Sequence, residues 1–309
     1  MIYYLDGSEL KDEYLKDDEI LGKKPCIGIL SKNEIELWNP HLGINDHILA
    51  ECLNGQVSKF ESHDGFDYIC LQIPDKKNLL NKESVISIFV RNNMLVFICE
   101  EKCEYAALSG VINKIEMKDI KNLTLERVLY EFFDELTAGD SMYLESIEQE
   151  IAALEESLIT TMNKDYIKEI IVLRKKLLVL KRYYEQLFDL AEAMEENENG
   201  LLSKRILRYY HFLTSRTGRL SNSISNLRDY VSQVREAYQA QVDINQNEIM
   251  RLFTVITSIF LPLTLIVGWY GMNLKMPEFQ WNYSYPVVIA ISAAVALFSV
   301  IYFKKHKWF

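Results

Sequence analysis

Two stretches near the C-terminus, Leu252–Tyr270 "LFTVITSIFLPLTLIVGWY" and Tyr285–Phe303 "YPVVIAISAAVALFSVIYF", each run for 19 residues without a charge. A bilayer core of about 30 Å takes roughly 20 apolar residues in a helix. Inside it every backbone N–H and C=O must be bonded within the segment, which forces such runs into helices. Arg251 precedes the first run, and Lys304, Lys305 and Lys307 follow the second. Basic flanks favour the cytoplasmic side. The chain is therefore expected to be a multi-pass protein of the cell inner (plasma) membrane, with N- and C-termini cytoplasmic and the link Gly271–Ser284 outside. Trp269, Tyr270, Trp281, Tyr283 and Tyr285 cluster where one aromatic belt belongs, and Tyr302, Phe303, Trp308 and Phe309 mark the other.

The charge is unevenly spread. The 309 residues carry a formal −10; from Met250 on, five basic residues stand against the single acid Glu278, which leaves −14 on residues 1–249. An acidic front part suits metal cations and argues against nucleic acid as a partner. Cys26, Cys52, Cys70, Cys99 and Cys103 are odd in number, without framework spacing, and most sit in apolar runs such as "DYICLQI". They read as reduced core thiols of a cytosolic domain. The opening "MIYYLDGSELKDEYLKDDEI" is acidic and lacks the apolar core of a leader, so the front part is expected to stay inside.

Residues 1–122 read as a cytosolic α/β domain. "KPCIGILSKNEIELW", "SKFESHDGFDYICLQIP" and "SVISIFVRNNMLVFICEE" predict strands and hairpins turning at Asp64-Gly65 and Asn92-Asn93, with helices over "HLGINDHILAECLN" and "KCEYAALSGVINKIE". Residues 123–200 predict a long helical hairpin, with helices over 124–158 and 163–197 and Gly200 as a C-cap. A stalk helix over 201–251 follows, then a pore-lining transmembrane helix 1 over 252–271, an extracytoplasmic loop over 272–284, transmembrane helix 2 over 285–303 and a basic cytoplasmic tail over 304–309. Leu213, Leu220, Ile224, Leu227, Val231, Val234 and Tyr238 form a heptad seam running unbroken toward the first span. Self-association along the stalk and packing of a hairpin within one subunit both account for that seam.

Along the first span Asn247, Met250, Thr254, Thr257, Leu261, Thr264 and Gly268 recur at intervals of three and four. This line gathers nearly every polar or small residue of the segment. Lipid does not reward hydroxyls, so the line is expected to face protein or water. It serves close helix packing, or it lines a pore in which Met250 and Leu261 are apolar constrictions. Pro262 cannot donate a backbone hydrogen bond and gives the helix a point at which to bend.

Tyr270-Gly271-Met272-Asn273 stands at the outer end of that span. Met276-Pro277-Glu278 follows it, and the final span ends in Lys-Lys-x-Lys-Trp. With "FLPLTLIVGWYGMN" and "NQNEIMRLFT", these segments resemble the CorA family of magnesium channels or transporters. The resemblance is dense over residues 245–309 and architectural before them. It implies an α/β cytosolic domain, long α-helices and two C-terminal transmembrane helices, assembled as a homopentameric funnel-shaped channel. Gly271, Met272 and Asn273 would be its selectivity filter, Glu278 would attract cations to the outer loop, and Mg2+ would be both the transported and the regulatory ion. Glu236 and Asp243 are placed on the stalk where a regulatory metal ligand would sit, and a solvated helix acid is the alternative reading of each. The loop departs from the family pattern: Leu274-Lys275 is one residue short, and Lys275 adds positive charge near the mouth.

Mg2+ sheds water reluctantly and takes six oxygen ligands, so neutral oxygens at a wide mouth suit the hydrated ion. A ring of Asn273 carboxamides and Gly271 carbonyls offers them. Downhill entry needs no ATP, and no phosphate-binding glycine loop is present. The chain reads as a non-enzymatic Mg2+ channel with self, the lipid bilayer and divalent cations as partners and no organic cofactor. A Zn2+, Co2+ or Ni2+ transporter of the same fold and a membrane-anchored acidic sensor or scaffold are the alternatives.

Overall fold

The computed structural model describes residues 2–6, 9–12, 24–54, 57–99, 102–117, 123–160, 166–273, 276–306 and 308. They form two compact units, Met1–Gln233 and Val234–Phe309. The first opens on a seven-stranded sheet: β1 Ile2–Asp6, β2 Glu9–Asp12, β3 Cys26–Ser31, β4 Lys59–His63, β5 Phe66–Ile73, β6 Ser84–Arg91 and β7 Met94–Cys99. The spatial order is β2-β1-β3-β7-β6-β5-β4, antiparallel throughout except for the central β3–β7 pair. β6 and β7 are buried on both faces, which is why "SVISIFVR" and "MLVFIC" are almost continuously apolar rather than alternating.

Both expected hairpins form. β4 and β5 turn at Asp64-Gly65, with Gly65 at φ 83°, and β6 and β7 turn at Asn92-Asn93. The stretch "KPCIGILSKNEIELW" is strand only to Ser31. Helix α1, Lys32–Leu42, starts there because Glu34 reaches back to the Ser31 backbone N–H at 2.8 Å. This is a capping box inside a run that reads as strand, and that hydrogen bond holds the Glu34 carboxyl below its ordinary range. The expected helix over "HLGINDHILAECLN" is confined to α2, Asp46–Asn54. Helix α3, Lys102–Glu116, forms over "KCEYAALSGVINKIE". Cys26, Cys52, Cys70 and Cys99 are buried, and burial pushes Cys26 and Cys52 up to about 11, away from reactive thiolate. The Cys103 side chain lies outside the described residues.

The expected helix over 124–158 is two helices, α4 Leu125–Leu136 and α5 Asp140–Thr160. The Thr137 hydroxyl donates to the Phe133 carbonyl at 3.1 Å, and Gly139 turns left-handed at φ 75°. A side chain at that φ costs about 1–2 kcal/mol, so Gly139→Ala is expected to lower stability by about 1 kcal/mol, read as a lower midpoint in chemical denaturation. α6, Tyr166–Glu196, does not end on Gly200. Asn197 takes the left-handed position at φ 51°, and its side chain ties both the N–H and the carbonyl of Leu202. Gly200, at φ 64°, turns the chain toward the next helix.

That helix, α7, runs Lys204–Tyr270 without a break, as the uninterrupted pattern predicts. Leu213, Leu220, Ile224, Leu227 and Val231 of its heptad seam are buried. The helix meets α6 where a Cβ on Gly218 would come within 3.2 Å of the Phe188 ring, and α5 where the Tyr230 hydroxyl donates to Glu155 at 2.6 Å. The upper seam is thus used inside one chain, so self-association draws no support from it. From Arg235 to Thr254, by contrast, no residue of α7 is buried. The second unit is completed by a short 3-10 helix, Pro277–Gln280, and α8, Ser284–Lys305.

Candidate ion path along the membrane helices

Among the described residues, α7 and α8 are the two helices long and apolar enough to cross a membrane. All seven residues of the stripe, Asn247, Met250, Thr254, Thr257, Leu261, Thr264 and Gly268, are exposed on one face of α7. A Cβ built on Gly268 would meet nothing within 4 Å. Val255 is buried and Ile259, Pro262 and Ile266 are half-buried on the other side, at the same three-four spacing. α7 therefore spends its β-branched and proline face inside the chain and leaves its hydroxyl face open. The helix stays continuous through Pro262.

The threonines have a defined chemistry. Thr254, Thr257 and Thr264 donate their hydroxyl hydrogens to the carbonyls of Met250, Phe253 and Phe260 at 2.8, 2.7 and 2.8 Å. With the hydrogen committed to the backbone, each oxygen turns only lone pairs outward. Such a surface accepts hydrogen bonds from the water shell of a cation and offers an anion nothing.

The outer end of α7 is closed by its own backbone. The Gly271 N–H donates to the Val267 carbonyl at 2.8 Å, and Met272 N–H reaches Trp269 at 3.3 Å. A Cβ on Gly271 would stand 2.8 Å from that Val267 oxygen, so the glycine is required by a close approach and not by an unusual φ. The Gly271 and Met272 amides take the Val267 and Trp269 carbonyls, and Asn273 is not in the left-handed conformation of a C-capping asparagine. Its carboxamide is exposed and has no hydrogen bond to any described residue. Leu274 and Lys275 lie outside the described residues. Glu278 is exposed on the 3-10 turn. Its carbonyl accepts the Trp281 N–H at 3.2 Å and the Ser284 hydroxyl, and that hydroxyl also lies 2.8 Å from the Trp281 carbonyl. Ser284 thus staples the loop onto the start of α8, a role the sequence reading missed.

Glu236 and Asp243 are exposed, two turns apart on α7, so about 10 Å separates them along the axis. They continue the stripe's spacing into the stalk. Asp243 accepts from the Gln239 side chain at 3.2 Å. Among the described residues no group of three His, Cys, Asp or Glu side chains gathers to hold a metal ion.

An α/β sheet domain precedes two candidate membrane helices, of which the 67-residue α7 ends on an exposed Gly271–Asn273 turn, and this is the architecture of a membrane protein. The family described as "CorA-like Mg2+ transporter protein" matches residues 29–305, and the chain belongs to it. It is 30% identical over 288 residues to the cobalt/magnesium transport protein CorA of Thermotoga maritima, covering 91% of this chain and 81% of that one. It is 28% identical to the magnesium transport protein CorA of Helicobacter pylori, over 70% of each. The structure of the CorA magnesium transporter from Methanocaldococcus jannaschii superposes with a TM-score of 0.84 over 100% of this chain and 99% of that one, at 20% identity, which establishes the shared fold.

Proposed function

We propose that this chain is a passive Mg2+ channel of the plasma membrane, assembled as a homopentamer with both termini in the cytoplasm. Five copies of residues 252–271 surround the path, with the exposed stripe facing its axis. In this reading Gly271, Met272 and Asn273 form the filter at the outer ends, and Glu278 raises the cation concentration outside. Residues 1–122 and 123–200 form the cytosolic sensor, 201–251 the stalk, 272–284 the outer loop, 285–303 the outer helix and 304–309 the basic tail. The observation that carries this reading is the exposure of all seven stripe residues in one chain, in register with an exposed Asn273. Neutral oxygens pass a hydrated divalent ion without trapping it. An ion of charge +2 crossing 100 mV inward gains about 4.6 kcal/mol, enough to drive entry without ATP.

The names of the relatives favour Mg2+ and Co2+ as cargo. Purified protein in liposomes with a Mg2+ dye inside is expected to show potential-driven uptake that Co2+ outside competes with. No uptake by assembled protein would favour a membrane-anchored sensor. Leu261→Ala removes most of an apolar ring and is expected to raise the leak at high internal Mg2+. A fall in flux with no change in that leak would place the constriction elsewhere.

A further inference from the structure

We infer that the C-terminal tail is a clasp that fixes the rotational setting of α7 at the cytosolic mouth, with Trp308 and Arg251 as positioning residues. The inference rests on the pore reading for its consequence and on the second unit's geometry for its existence. After α8 the chain folds back: His306 N–H bonds the Tyr302 carbonyl and Trp308 N–H the Phe303 carbonyl, both at 3.1 Å. The second bond spans five residues, and the Trp308 ring lies 5.5 Å from the Phe303 ring. The Arg251 guanidinium stands 5.9 Å from the centre of the same indole. A cation over an indole face at this distance is attracted by the ring quadrupole.

Apart from Val234 at its start, the second unit keeps its buried side chains on Val255 and Phe303 among the described residues. Val255 is one helical turn beyond Arg251 on the same face, and Phe303 is the residue on which Trp308 folds. The other described side chains of α7 beyond Arg235 and of α8 are exposed or half-buried. Arg251 and Val255 sit about 100° and 140° around α7 from Met250, at 100° per residue. Held on that flank, the helix presents Met250 and Thr254 along the stripe; released, it is free to roll and carry them off the axis.

A plain interfacial anchor is the competing role for a tryptophan beside lysines. The two differ in coupling. An anchor acts through lipid, independently of Arg251; a clasp fails equally when either partner is lost. Full-length protein in nanodiscs, as wild type, Trp308→Ala, Arg251→Gln, the double variant and Trp308→Phe, is to be compared by hydrogen–deuterium exchange over Asn247–Val255 and by Mg2+ flux, using the assembled fraction. Trp308→Ala and Arg251→Gln are each expected to raise exchange by about two- to fivefold, the shift one cation–π contact supplies. The double variant should add little to either, and Trp308→Phe, which keeps an aromatic face, should stay near wild type. The ratio of flux at low to high internal Mg2+ should fall in the same order. Unchanged exchange, or additive effects of the two changes, would overturn the clasp. Raised exchange with unaltered flux at both Mg2+ levels would overturn its role at the mouth. Asn273→Ala in the same preparation separates the two readings: if it leaves flux intact the pore assignment fails, while the exchange result still decides the clasp.

Discussion

Asn273→Ala is expected to reduce Mg2+ flux on the order of 100-fold or more while leaving assembly and the cytosolic fold intact. Each neutral hydrogen bond from the ion's water shell to a carboxamide is worth about 0.5–1.5 kcal/mol. Losing five at one ring removes several kcal/mol, and every 1.4 kcal/mol is a factor of ten in occupancy. The variant should fold because the Gly271 and Met272 amides close the helix end and the Asn273 side chain bonds to no described residue. That separates it from Gly271→Ala, where the new Cβ meets the Val267 carbonyl and the turn itself must move. The measurement is dye-reported uptake by reconstituted protein whose oligomeric state matches wild type. Transport near the wild-type rate would show that Asn273 is not the filter.

What the sequence made legible, and what it did not, follows from the range of the interactions. The spans, the uninterrupted α7 and the hairpins at Asp64-Gly65 and Asn92-Asn93 are written locally, as charge-free length, lack of breakers and turn residues. The stripe is equally local, since a helix converts spacing directly into a face. Two local signals were outweighed by their surroundings in the reading: Ser31 and Glu34 form a capping box within a strand-like run, and Gly139 splits a stretch otherwise rich in helix formers. The heptad seam shows the opposite limit. Leu213 through Val231 carry the period of a self-association surface, yet periodicity says only that a face is buried, and α5 and α6 of the same chain bury it. Arg251 and Trp308 are 57 positions apart, with two helices between them, and no spacing rule connects them. Asn273 was placed by motif and position. That it is not a left-handed C-cap became visible only in the backbone.

Millimolar Mg2+ is expected to raise the thermal stability of the assembled protein and to close the path, well beyond the effect of NaCl matched in ionic strength. Residues 1–249 carry a formal −14, so the proposed homopentamer would gather about seventy net negative charges in one assembly. Such a charge works against association, and ions bridging carboxylates of adjacent subunits offset it. A site that binds only the assembled form contributes about 1.4 kcal/mol when the ion is at ten times its dissociation constant. Five such sites add several kcal/mol per pentamer, enough for a clear shift in midpoint. Monovalent salt also damps the repulsion, over a Debye length of about 8–10 Å near physiological strength. It gives no site-specific term, which is why the matched control decides the matter. Glu236 and Asp243 are the first stalk positions to change, since each is exposed on the face that continues the stripe. If they are ligands, Glu236→Ala and Asp243→Ala should lower the Mg2+-dependent part of the midpoint shift and leave the NaCl-dependent part as it was, with flux at high internal Mg2+ rising in step. A shift that NaCl reproduces in full would mean that the acidic domain responds to ionic strength and senses no particular ion.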